Sequence, residues 1–167
     1  MNIKKVRVDK EGTGMGWGAV YAQYLESMDQ IGEQGNGLSV SRQLYKGDEA
    51  LNESAPLKVG DKITVRLTVK ADRDMDFVQI KDDRAACMEP LQAVSGFRWS
   101  NGLGYYQATK DASTQFFIDQ MRKGTYVIEY QVYVNRTGEY QTGIATVQSA
   151  YAPEFGGHTR GYRVMVE

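Results

Sequence analysis

The carboxylates Asp72, Asp74, Asp76, Asp82, Asp83 and Glu89 crowd one short stretch of this chain, around Ala71-Asp-Arg-Asp-Met-Asp76. Acidic side chains two residues apart share a strand face or a loop rim, and oxygen ligands so placed suit calcium. The glycine that an EF-hand loop needs is missing, and Arg73, Lys81 and Arg84 sit among the acids. Solvated turn charges and surface ion pairs of small net worth are the simpler account. His158 is the sole histidine and Cys87 the sole cysteine. With no second histidine or cysteine to join them, a metal site is poorly supported. Following Gly156-Gly157, His158 is expected on a loop, where a structural or interface hydrogen bond is its ordinary role. Cys87 has apolar neighbours in Ala85, Ala86 and Met88, the setting of a small buried thiol rather than a nucleophile. No Gly-x-Ser-x-Gly elbow surrounds a serine. Gly102-Leu-Gly104 is a fragment of a glycine-rich phosphate loop, but Tyr105-Tyr106 follows with bulk that would block such a cradle. We therefore expect no catalytic residues, no metal and no cofactor.

Aromatic residues are the other chemically suggestive group. Phe97, Trp99, Tyr105, Tyr106, Phe116 and Phe117 fall close together and would suit a sugar-binding face. In a two-layer β protein, paired aromatics more often fill the space between sheets, and the core is the expectation taken here.

The elements that must position these residues are strands. Lys62 to Lys70 places Ile63, Val65, Leu67 and Val69 on one face and Thr64, Arg66 and Thr68 on the other. That period of two calls for one dry face and one wet face. Thr125 to Val134 repeats the pattern, and Asn135-Arg-Thr-Gly138 is read as the turn of a hairpin leading into Glu139 to Gln148. Arg160 to Val166 alternates as well. Weaker strands are read at Ile3 to Val8, Trp17 to Leu25, Leu38 to Tyr45, Asp76 to Asp82 and Tyr105 to Thr109. Asp111 to Lys123 carries both helix and strand signals and is taken as strand. Gly12 to Gly16, Asp29 to Gly37 and Gly47 to Pro56 lack a pattern and are expected to be loops, the last two the most flexible. The result is an all-β, antiparallel sandwich of about ten strands, in one domain covering residues 1–167.

Bulk composition agrees with that class. The chain has 167 residues, 18 glycines, 3 prolines and 11 tyrosines, a balance that favours strands joined by turns. Twenty basic and 21 acidic residues leave a net charge of −1, so there is no cationic excess for nucleic acid. Charges of both signs are interspersed, and no apolar run is long enough to span a bilayer, which argues against a lipid-surface patch and direct membrane insertion. One cysteine rules out an internal disulfide framework.

The stretch with the most specific character is Tyr151-Ala-Pro-Glu-Phe155, which follows the strand ending near Gln148. Two aromatics, a proline and a carboxylate in a short turn form a stiff, amphipathic surface that packs on something. That partner is either its own sandwich or a neighbouring domain. Ala150, Tyr151, Pro153, Glu154, Phe155 and His158 are the candidate interface residues.

Several ordered segments together resemble the C-terminal macroglobulin-like domain of bacterial alpha-2-macroglobulin family proteins, particularly those of Bacteroides-type bacteria. They are Gly16-Trp-Gly-Ala-Val-Tyr-Ala-Gln-Tyr24, Leu38-Ser-Val-Ser-Arg-Gln-Leu-Tyr45, Val59-Gly-Asp-Lys-Ile-Thr-Val-Arg-Leu67, Asp72-Arg-Asp-Met-Asp-Phe-Val78 and Lys81-Asp-Asp-Arg-Ala85. Glu89-Pro90, Gly102-Leu-Gly-Tyr-Tyr106, Lys110-Asp-Ala-Ser-Thr-Gln-Phe-Phe117, Lys123-Gly-Thr-Tyr126 and Tyr151-Ala-Pro-Glu-Phe155 with His158 complete the set. The resemblance implies a macroglobulin- or immunoglobulin-like module from a much larger protease-trapping, endopeptidase-inhibiting protein, periplasmic or anchored in the envelope of a Gram-negative bacterium. It implies no enzymatic activity and partners in the neighbouring domains, above all a helical, thioester-type domain, with proteases met through the full-length protein. No Cys-x-Glu-Gln thioester motif occurs here. Ala150 stands where relatives often carry methionine, which implies weaker shielding of a thioester or a parent without that bond. The rival readings are a carbohydrate-binding module using Trp99, Tyr105 and Tyr106, and a calcium-dependent adhesion domain.

Overall fold

Alternating side chains become strands almost everywhere they occur in the computed structural model, which describes residues 7–19, 25, 27, 31–52 and 55–167. Strands β1 (Gln34–Asn36), β2 (Leu38–Lys46), β3 (Glu49–Ala50), β4 (Lys62–Ala71), β5 (Met75–Asp83), β6 (Met88–Pro90) and β7 (Gly96–Ser100) form the first half. The second half comprises β8 (Leu103–Thr109), β9 (Ser113–Met121), β10 (Gly124–Val134), β11 (Gly138–Gln141), β12 (Ala145–Ser149), β13 (Gly156–His158) and β14 (Arg163–Val166). There is no helix among the described residues.

One layer runs β6-β10-β4-β2, with β3 paired to β2; the other runs β12-β5-β9-β8-β7. Short strands β1 and β13 carry the hydrogen bonding from one layer to the other, and β11 pairs with β14 apart from both. All these pairings are antiparallel. The layers face each other across a dry interior. Ile63, Val65, Leu67 and Val69 point inward from β4, and Ile128, Tyr130, Val132 and Val134 from β10. Val78 and Ile80 of β5, with Phe116 and Ile118 of β9, close on them from the other side. Phe116 touches both Tyr105 and Tyr130, with ring centroids 5.7 and 5.9 Å apart, so one ring bridges the layers. Each such side chain contributes about 1.5–3 kcal/mol by leaving water.

The ambiguous segment around 111–123 is strand β9. Three expectations need correction. β10 does not form a hairpin with the chain after Gly138: it pairs with β4 and β6, while β11 crosses to β14 and β12 to β5. A glycine turn ends a strand without saying which sheet the next one joins. Second, the patternless stretch before Gly37 holds β1 and the one after Gly47 holds β3; β6, β7 and β13 also lie outside the expected strands, and 139–148 divides into β11 and β12, so the described residues hold fourteen strands. Third, the described part of the Trp17 to Leu25 strand has no strand structure, with Trp17 and Leu25 exposed. The rest of it, and most of Ile3 to Val8, lie outside the described residues.

The connection from β7 to β8 is a two-residue loop, Asn101-Gly102, with φ of +50° and +78°. This dipeptide is the strongest short hairpin signal in the chain. Reading Gly102 only as part of a phosphate loop misses it.

Candidate functional site: the loop between β12 and β13

β12 and β13 form a hairpin, with Gln148 opposite Gly156, Val147 opposite Gly157 and Thr146 opposite His158. The turn between them contains five of the six candidate residues. It is tied down from within and from both sides. Ser149 N–H donates to Phe155 O at 3.1 Å and Phe155 N–H to Ala152 O at 2.9 Å. Ala150 N–H donates to Phe77 O on β5 at 2.9 Å. The side-chain amides of Asn36 and Gln148 donate to the carbonyls of Glu154 and Pro153 at 2.7 and 3.2 Å. Four carbonyls of the turn and the N–H groups of Ala150 and Phe155 are engaged, so the loop is fastened at both ends and along its second half.

Its two aromatics divide the work. Phe155 is half-buried, packs against the core and lies 4.7 Å beneath the Arg73 guanidinium. Its Cδ1 stands only 2.6 Å from where a Cβ on Gly37 would be, and Gly37 has φ +69°. Gly37→Ala combines a steric clash with a left-handed backbone, and we expect it to cost about 1–3 kcal/mol. Urea unfolding measures the loss, and an unchanged midpoint would show that Phe155 is not seated against this turn. Tyr151 instead stands out, 78% exposed, with its ring edge-on to Phe77 at 5.0 Å and 84°. Phe77 itself has φ +52°, a conformation rare for a bulky residue and associated with functional positions. Ala150 and the Pro153 and Glu154 side chains are exposed as well. Sealing and presenting are thus done by different residues of one turn.

His158 lies in β13 rather than in a loop, half-buried, its Nδ1 3.2 Å from Thr159 O. Its Cα partners are Gln34 and Thr146. Cys87 is fully buried at the entrance to β6, on the opposite layer, and burial pushes its thiol up.

The clustered carboxylates disperse. Asp72 pairs with Arg73 at 2.8 Å, Asp83 with Lys81 at 3.0 Å, and Asp74 accepts the Lys123 N–H at 2.7 Å. Glu89 accepts from the Tyr133 hydroxyl at 2.6 Å. Asp82 is buried, bonded to Arg42 and the Tyr130 hydroxyl, both at 2.6 Å. Among the described residues no three or more His, Cys, Asp or Glu side chains converge as a metal site. The aromatic expectation needs a larger correction. Tyr105 and Phe116 are core, but Phe97, Trp99, Tyr106 and Phe117 lie on the outer face of their layer.

The two-layer antiparallel sandwich is the architecture of a macroglobulin-type module. The chain belongs to the bacterial alpha-2-macroglobulin MG10 domain family, whose family model matches residues 37–154. Among solved structures, Escherichia coli alpha-2-macroglobulin activated by porcine elastase aligns with TM-score 0.70 and 16% identity over 82% of this chain and 14% of that one. The native Escherichia coli protein from domain MG7 to the C-terminus aligns with TM-score 0.68 and 17% identity, over 81% of this chain and 24% of that one. A Dictyostelium discoideum protein, circularly permutated Ras protein 2, is 28% identical over 166 residues, 95% of this chain and 4% of that protein. The chain therefore spans only a small part of each of these three proteins.

Proposed function

We propose that this chain is a non-catalytic docking module, a single sandwich over residues 1–167, of a protease-trapping alpha-2-macroglobulin-like protein. The loop at Ala150, Tyr151, Pro153, Glu154 and Phe155, with His158 behind it, packs against the thioester-type helical domain and holds the uncleaved parent in its latent state. The observation that carries this reading is the exposure of Tyr151 on a turn fastened by five hydrogen bonds. A large aromatic held rigidly in solvent loses little entropy on docking, and a buried aromatic excludes water from whatever it covers. Pro153 stiffens the turn, and Glu154 is available to a basic group on the partner. Membership of the MG10 family supports placement in a periplasmic or envelope-anchored bacterial protein, with proteases met only through the whole molecule.

The test is Tyr151→Ala in the full-length parent. Protease-independent loss of latency, followed by amine uptake or conformational change, is expected to accelerate about tenfold, a loss of about 1.4 kcal/mol of docking. This domain's own melting should move by no more than the equivalent of about 0.5 kcal/mol, as for other exposed positions. Equal rates for mutant and parent would rule the docking role out.

A further inference from the structure

The layer β12-β5-β9-β8-β7 has one face in the core; its other face is unusual in composition. Registers of the four pairings align Phe97, Tyr106, Phe117, Gln79 and Gln148 as one row across it. In the neighbouring row Trp99 pairs with Gly104, and continuing the β8–β9 and β5–β9 registers brings Asp119 and Phe77 into line with them. Phe97 is 80% exposed, Trp99 76%, Phe77 47% and Phe117 40%, and no leucine, isoleucine, valine or methionine stands in either row. The exposed side chains of both rows are aromatic or polar.

The second row opens into a cleft of about 930 Å³ lined by Trp99, Gly104, Asp119 and Phe77, with Asp76, Gln120, Arg122 and Tyr126 alongside and the buried Leu103 out of solvent's reach. Gly104 shapes it. The Cζ3 and Cε3 edge of the Trp99 indole lies 2.8 and 2.9 Å from where a Cβ would stand, so any other residue would push the ring away. Strands are about 4.8 Å apart, which sets Trp99 and Phe77 about 14 Å apart across three of them. Around them, the side chains of Asp76, Asp119, Gln120 and Arg122 make no hydrogen bond or ion pair among the described residues. Two spaced rings with unspent acceptors and donors beside them form a recognition site in the usual sense: apolar platforms with a few polar groups that set orientation.

We propose that this cleft binds an extended, uncharged glycan. The axial C–H groups of a pyranose carry partial positive charge and meet the negative faces of Trp99 and Phe77. Sugar hydroxyls donate to the Asp76 and Asp119 carboxylates, which accept only, and accept from the Arg122 guanidinium; Gln120 does either. The two carboxylates against one guanidinium disfavour uronates and sulfated chains. The cleft shares Phe77 with the exposed loop, whose Tyr151 meets that ring edge-on, but Trp99, Asp119 and Arg122 lie outside the loop, so failure to bind a glycan leaves the docking reading standing.

The test uses this chain with Trp17→Phe, so that Trp99 alone reports by fluorescence. Cellohexaose and mannohexaose are the neutral probes, hexagalacturonate the charged one, and hexalysine tests for a basic peptide. A saturable change with a neutral hexaose is expected, weakened about tenfold or more by Phe77→Ala and by Asp119→Asn, both exposed positions, with hexagalacturonate binding more weakly. Heteronuclear spectra of each variant establish that the fold is kept. Lack of a saturable response to either neutral hexaose, a response that both substitutions leave intact, or tighter binding of hexalysine would each overturn the proposal, the last by assigning the face to a basic protein segment.

Discussion

Arg42→Met is expected to lower the unfolding free energy by about 3–5 kcal/mol, because it leaves the Asp82 carboxylate in the core without a counter-charge. The side chains of Arg42 and Asp82 are 5% and 1% exposed. One guanidinium nitrogen donates to Asp82 Oδ1 at 2.6 Å; the other donates to Thr142 Oγ1 at 3.0 Å and Gly143 O at 2.6 Å. The second Asp82 oxygen accepts from Tyr130, so the cluster ties β2 and β10 of one layer to β5 of the other and to the turn before β12. Burial alone would push the Arg42 guanidinium down, but the charges of Asp82 and Tyr162 and the hydrogen bond to Asp82 outweigh it and hold it above its ordinary value. Adding Asp82→Asn to Arg42→Met should recover a good part of the loss, since the stranded charge is then gone. Urea unfolding of the single and double variants measures both. A single-variant cost below about 1 kcal/mol would mean that water reaches the carboxylate.

The same cluster sets an alkaline limit. Burial first, then the charge and hydrogen bond of Asp82, raise the Tyr130 hydroxyl well above its ordinary value of 10.0. A group raised in this way stabilises the fold fully below its unfolded value, and that contribution is lost as pH climbs from there through the folded one. Stability above about pH 10 should fall less steeply in Tyr130→Phe than in the parent.

Parity explains what the sequence discloses here and what it hides. Ile63 to Val69 alternates without interruption, so β4 and its inward face are legible from one line of residues. The buried ion pair leaves a legible trace too: Arg42 continues the inward series Leu38, Val40, Leu44, and Asp82 continues Val78, Ile80. A charge on the dry parity of two strands is the mark of a buried pair, whereas reading Asp82 as one of a crowd of turn carboxylates loses it. β5 conceals more. Its inward residues run Met75 and then Val78, a step of three, because the strand breaks stride at Phe77. Local alternation cannot reveal that step, since the partner strand β9 compensates with Ile118 and Met121. Strand partners are likewise out of reach: β11 finds β14 some twenty residues on, a choice made by packing and not by the turn at Gly138. At the loop, the composition of Tyr151 to Phe155 marks it as a surface for packing. Which ring would face inward depended on Gly37 and Arg73, more than eighty residues upstream, and so was not readable locally.

Adjacent phenylalanines give the sharpest contrast between the two faces of the second layer. Phe116→Ala is expected to cost about 3–5 kcal/mol, and Phe117→Ala less than about 1 kcal/mol. Composition treats these neighbours alike, but Phe116 is fully buried and touches Tyr105 and Tyr130 from both layers, while Phe117 is 40% exposed in the outer aromatic row. Removing the first ring opens a void where the two sheets meet, and the tyrosines cannot fill it freely: Tyr130 is fastened to Asp82 and must stay. Removing the second ring only bares sheet backbone already next to water. Chemical denaturation of both variants should give midpoints well separated, with equal slopes. Similar losses for the pair would mean that the outer row is covered by something in this chain, and a small loss at Phe116 would mean that the layers do not meet at that ring.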